Sequence, residues 1–231
     1  MKCLKNIVCI FAAIVLLQSC STDSAVVAIP KSYNYLALGD SYTIGQSVCE
    51  TCRFPIQLQD SIKKYITVND TFQTQVIAQT GWTTSNLKSA IASQNPSNDF
   101  DLITLLIGVN NQYQNMPFDL FQQEFSELVE KAIELGKGKK ENLIVVSIPD
   151  YAYTPFGNGS INISSQISIY NTFIENYCTA NTITYVNITD ITQLGLAQPD
   201  LVATDGLHPS RMAYSKFVER ILPKALIIIE P

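Results

Sequence analysis

Charge and histidine are both scarce in this chain. Of its 231 residues 15% are charged, 20 acidic against 15 basic, for a net charge of −5. An ordinary globular chain carries ~25% charged residues. No basic block or stripe is visible, which excludes nucleic acid as a partner, because phosphate binding needs clustered Lys and Arg. A single histidine, His208, excludes a His-rich metal centre. Any histidine chemistry in this protein takes place at His208. Long hydrophobic runs are missing as well. The apolar run from Ile7 to Leu17 and the shorter one from Ala225 to Ile229 both fall below the ~20 residues that span a bilayer as a helix. Hydrophobic residues nevertheless make up 46% of the chain, too many for a disordered protein. The length suits one domain that buries its core without metal or disulfide staples.

The amino terminus reads as an address. Lys2 and Lys5 form a basic region, the run to Leu17 has the length of a secretory signal, and Leu17-Gln18-Ser19-Cys20 follows. That order resembles the lipobox of bacterial lipoprotein signals. On this reading residues 1–19 are a signal peptide and Cys20 is the lipidated first residue of the mature chain. Residues 20–31 are then a polar tether, and 32–231 are the folded domain. Loss of Lys2 and Lys5 takes the net charge to −7. The expected product is an exported lipoprotein of the bacterial cell envelope, held to a membrane by lipid on Cys20.

Beyond the tether, apolar strand-like runs alternate with amphipathic stretches. Strands are expected at 33–38, 74–78, 102–107, 143–148 and 183–186. Helices are expected at 54–65, 83–92, 119–135, 164–180 and 210–226. The continuous apolar run 102–107 suits a strand buried on both faces. Strands alternating with helices predict an α/β domain around a parallel sheet. Ligands of such sheets bind at the carboxyl ends of the strands. Ser41, Gly81 and Asn110 each fall just past a predicted strand.

Those positions suggest acyl-transfer chemistry. A serine hydroxyl attacks only when a base takes its proton. His208 is the one histidine available, and Asp205 lies three residues before it, placed to fix the tautomer of the imidazole. An oxyanion also needs donors, which the Asn110 amide and the Gly81 backbone N–H can supply. Taken singly, each piece has a bland reading. Gly39-Asp40-Ser41 is ordinary turn chemistry, and Asp205-Gly206-Leu207-His208-Pro209 would serve as a loop leading into a helix.

Together the blocks resemble the GDSL/SGNH hydrolase family. Gly39-Asp40-Ser41-Tyr42, then Gly81, then Gly108-Val109-Asn110, then Asp205-x-x-His208 stand in the family's order, from residue 39 to residue 208. The resemblance implies a three-layer α/β/α sandwich, flavodoxin-like, with a central five-stranded parallel sheet. It implies Ser41 as nucleophile, His208 as base and Asp205 as the third member of the triad. The implied oxyanion hole comprises the Ser41 and Gly81 N–H groups and the Asn110 side chain. The implied activity is that of a serine esterase or acylhydrolase, acting on a small-molecule, glycan or lipid ester with no metal or organic cofactor. The family often has Asp after the block asparagine; here Asn111 stands there. The rival reading is a non-catalytic binding lipoprotein on the same scaffold.

Two further features are weighed. Cys49-Glu50-Thr51-Cys52 admits a redox pair, a zinc site with Cys178 and His208, packed thiols or a local disulfide. Export favours the disulfide, leaving Cys178 free. The loop from Pro149 to Phe156 follows the fourth strand, so Tyr151, Tyr153 and Phe156 are candidates to line a substrate pocket. Asp150 is a formal rival to Asp205, but nothing in its spacing links it to His208.

Overall fold

The computed structural model describes residues 29–229. The expected signal peptide, Cys20 and the expected tether up to residue 28 lie outside the described residues. The fold opens with strand β1 (Ser32–Gly39) and a one-turn helix α1 (Ser41–Ile44), followed by α2 (Phe54–Ile62), β2 (Thr71–Ala78) and α3 (Thr84–Gln94). Strand β3 (Leu102–Leu106), α4 (Val109–Tyr113), α5 (Phe118–Leu135) and β4 (Leu143–Val146) come next. The chain closes with α6 (Ile161–Asn181), β5 (Thr184–Val186), α7 (Thr189–Thr192) and α8 (Arg211–Ile229).

The five strands form one parallel sheet in the order β2-β1-β3-β4-β5, the flavodoxin-like order expected. Every residue of β3 and β4 is buried, because helices cover both faces of the sheet. Helices α2 and α8 pack together on one face, with Phe54 against Tyr214. On the other face α5 lies between α3 and α6. Its buried stripe of Phe121, Phe125, Leu128, Val129, Ala132 and Leu135 follows the helical repeat. Phe121 and Phe125 meet Tyr170 and Phe173 of α6 there.

Element boundaries differ from expectation where polarity hides the pattern. β2 begins at Thr71 rather than 74, because its outward side chains on the sheet's edge are polar and leave no apolar run. α2 stops at Ile62 rather than 65, and Tyr65 beyond its end is 56% exposed. α8 continues through Pro223 to Ile229. Cys49 and Cys52 form a disulfide and Cys178 is a buried free thiol, so neither Cys49 nor Cys52 is available as a thiolate ligand.

Candidate active site

Three strand ends, all at the carboxyl edge of the sheet, converge on one cavity of about 240 Å³. Gly39 ends β1 where a Cβ would collide with the Thr43 side chain and the Leu106 carbonyl. Only glycine lets the chain turn this close to β3. Asp40 then caps α1, its Oδ1 accepting from the Tyr42 backbone N–H at 3.0 Å. Ser41 is the first residue of α1, where the backbone N–H has no acceptor within the helix. β2 leads to Gly81, whose φ of +83° is left-handed. β3 leads to Gly108, with a φ of +132°, which turns the chain into α4 and puts Asn110 in that helix's first turn.

The fourth contribution comes from the loop before α8. Asp205 accepts four hydrogen bonds. Oδ1 takes the backbone N–H groups of Leu207 and His208, each at 3.0 Å. Oδ2 takes His208 Nδ1 at 2.6 Å and the Ser47 hydroxyl at 2.6 Å. Partial burial pushes this carboxyl upward. The Ser47 hydroxyl, the imidazole and the two N–H groups outweigh that and hold it well below the usual carboxylate range. The imidazole is buried and has the Tyr42 ring 5.1 Å away.

Ser41, Gly81, Asn110 and His208 all line the cavity, so the structure brings these four expected residues together, with Asp205 bonded behind the imidazole. Among the described residues no hydrogen bond joins the Ser41 hydroxyl to the imidazole. Such contacts are often long before substrate arrives. The Asn110 amide donates to Asp40 Oδ2 at 3.3 Å. Asp40 is wholly buried, and loss of solvent pushes its pKa up to about 7 against the bonds from Tyr42 and Asn110.

Aromatic side chains form the opposite wall. Tyr151 is buried and its hydroxyl donates to Gln112 at 2.8 Å. Tyr113 and Phe156 stand half-exposed at the mouth, each about 6 Å from Tyr151. Tyr151 and Phe156 therefore line the cavity with Ser41, whereas Tyr153 does not. Tyr153 faces a separate groove with Ser160, Ile161 and Ser164. Asp150 is occupied elsewhere, accepting from Ala152, Ser164 and Gln193. Asn111 is buried and bonded to both the backbone and the hydroxyl of Thr84. It therefore supports the start of α3 and stays out of the cavity. Sequence reasoning did not assign Tyr42, Thr80, Val109, Tyr113 and Leu207 to the lining. Tyr42, Val109 and Leu207 lie inside the recognised blocks and Thr80 adjoins Gly81, which is a usable signal.

A parallel 2-1-3-4-5 sheet with a serine, a backed imidazole and an asparagine around one crevice has the layout of an SGNH-type hydrolase. The chain belongs to the GDSL-like lipase/acylhydrolase family, whose profile matches residues 37–216, and at family level it is a hydrolase acting on esters. Solved structures share the fold at low identity. A lipase from a goat rumen metagenome aligns with TM-score 0.65 and 19% identity, over 83% of this chain and 97% of its own. A psychrotrophic esterase from Pseudoalteromonas sp. aligns with TM-score 0.60 and 15% identity, over 86% and 99%. An acetyl xylan esterase from Geobacillus stearothermophilus aligns with TM-score 0.59 and 15% identity, over 85% and 96%. No curated protein matches the chain at the level of sequence.

Proposed function

We propose that this protein hydrolyses carboxylic esters through an acyl-serine formed at Ser41. The observation that carries the reading is the Asp205–His208 hydrogen bond beside a cavity that Ser41 also lines. With Nδ1 bonded to the carboxylate, Nε2 is the nitrogen left to act as base. It takes the Ser41 proton as the hydroxyl attacks the ester carbonyl, and the imidazolium is stabilised by Asp205. The tetrahedral oxyanion is received by the Ser41 N–H, the Gly81 N–H and the Asn110 amide. His208 then protonates the departing alcohol, and water activated by the same imidazole hydrolyses the acyl-enzyme.

The aromatic wall of Tyr113, Tyr151 and Phe156 supports an apolar acyl or alcohol group beside Ser41. Hydrolysis of a chain-length series of nitrophenyl esters, with sugar acetates in parallel, tests the reading. Turnover is expected for the wild type and is lost in Ser41→Ala with folding retained. Equal turnover by the two proteins overturns it. The order of charge, apolar run and lipobox-like residues before Cys20 supports a second element of the proposal, lipid attachment at that cysteine. Among the described residues no helix is long and apolar enough to cross a membrane.

A further inference from the structure

Ser47 lies outside all four recognised blocks, yet its hydroxyl meets the carboxylate that backs the histidine. It sits on the loop after α1, 158 residues before Asp205, and donates to Oδ2 at 2.6 Å. That oxygen also takes His208 Nδ1. Two donors therefore share one oxygen, while Oδ1 is filled by backbone N–H groups. The Asp205 side chain is thereby held at both ends.

The loop is built to deliver this hydroxyl. Gly45 ends α1 in the left-handed region, with a φ of +78°, where a Cβ would meet Arg53 Cβ at 2.5 Å. Ser47 itself has a φ of +66°. A non-glycine residue adopts this conformation at a cost and keeps it only when its surroundings require it. Just beyond, the Cys49–Cys52 disulfide closes the loop, and Arg53 bonds to Glu50. The chain is thus fixed on both sides of Ser47.

We infer that Ser47 is a positioning residue of the reacting set, acting through Asp205 on His208. This rests on the proposed roles of Ser41, His208 and Asp205. The hydroxyl does two things. It stops the carboxylate from rotating away from Nδ1. It also fixes Oδ2 as the oxygen that Nδ1 meets, so the imidazole is held in one orientation. The other titratable groups packed around this pair are Asp40 and Tyr42 from the turn after β1, Tyr214 from α8 and Tyr151 from the loop after β4. A substitution at Ser47 leaves all four in place.

The test uses Ser47→Gly, which removes the hydroxyl but suits the left-handed backbone. Ser47→Asn keeps a donor in a residue that tolerates the same conformation. Because His208 is the chain's one histidine, its imidazole signals are followed by NMR in untagged protein without assignment. In Ser47→Gly the NMR signal of the ring N–H bonded to Asp205 is expected to shift or broaden, since Oδ2 loses its second donor. The value of kcat on a short-chain nitrophenyl ester is expected to fall about 10-fold or more, as for loss of a hydrogen bond to a charged group, with KM little changed. Ser47→Asn should recover part of both effects. An unmoved imidazole N–H signal in Ser47→Gly overturns the inference, as does a change confined to KM. The NMR measurement needs no turnover, so it judges Ser47 even if the wild type fails to cleave esters, an outcome that would instead defeat the proposed function.

Discussion

Asp40 shows how one carboxylate serves both fold and site. Oδ1 caps α1 and Oδ2 anchors the Asn110 amide, all without solvent. Its pKa rises from 3.8 in the unfolded chain to about 7 in the folded one. Between these values the unfolded chain releases a proton that the folded chain keeps. Stability contributed here is therefore complete below about pH 4, declines as pH rises, and levels off above about pH 7. Asp40→Asn should flatten that decline, a change visible in urea-unfolding midpoints at pH 4 and pH 8. It should also lower kcat, because an Asn side-chain NH2 placed opposite the Asn110 amide cannot accept from it. A decline equal to that of the wild type would show that Asp40 does not titrate in this window.

At the scale of elements, the strand ends are where sequence and site coincide. Leu102–Ile107 reads directly as a buried strand, and the glycine after it as its end. The short helices α1 and α4 leave no such trace, because four or five residues are too few to show a helical period. Tyr153 was misplaced for a related reason. Tyr151–Tyr153 form a single 3-10 turn, in which residues two apart point to different sides. Ser47 gave no local signal either, since its partner is far along the chain. By contrast the four blocks that carry Ser41, Gly81, Asn110 and His208 were legible because each ends a strand or begins a helix in a fixed order. Gly108→Ala tests how strictly the β3–α4 turn depends on its glycine. An added Cβ would meet the Phe121 ring at 2.8 Å, at a φ of +132° that L-residues avoid. A loss of about 2–3 kcal/mol of unfolding free energy is expected from strain and overpacking. Wild-type stability in this variant would mean that the turn relaxes freely.

For the whole molecule, fold and chemistry are separable from attachment. Cys20→Ala should move the protein from the detergent phase to the aqueous phase in cell fractionation while leaving ester turnover unchanged. The apolar run before Cys20 is too short to remain as a spanning anchor, and the net charge of −7 that follows from the proposed cleavage before Cys20 offers no attraction to an anionic bilayer. Protein that stays in the detergent phase would show that something other than Cys20 holds it.

The direction of β1 gives that attachment a consequence for reach. The strand's first residue, Ser32, follows the stretch that leads from Cys20, and its last, Gly39, adjoins Ser41. Eight residues at ~3.3 Å each put ~25 Å of sheet between the two ends. The lipid proposed at Cys20 would then approach from the end of the sheet opposite Ser41, while the aromatic mouth of Tyr113 and Phe156 opens at the Ser41 end. Under the proposed attachment the cavity would meet esters in the space beyond the membrane before those in the leaflet beneath.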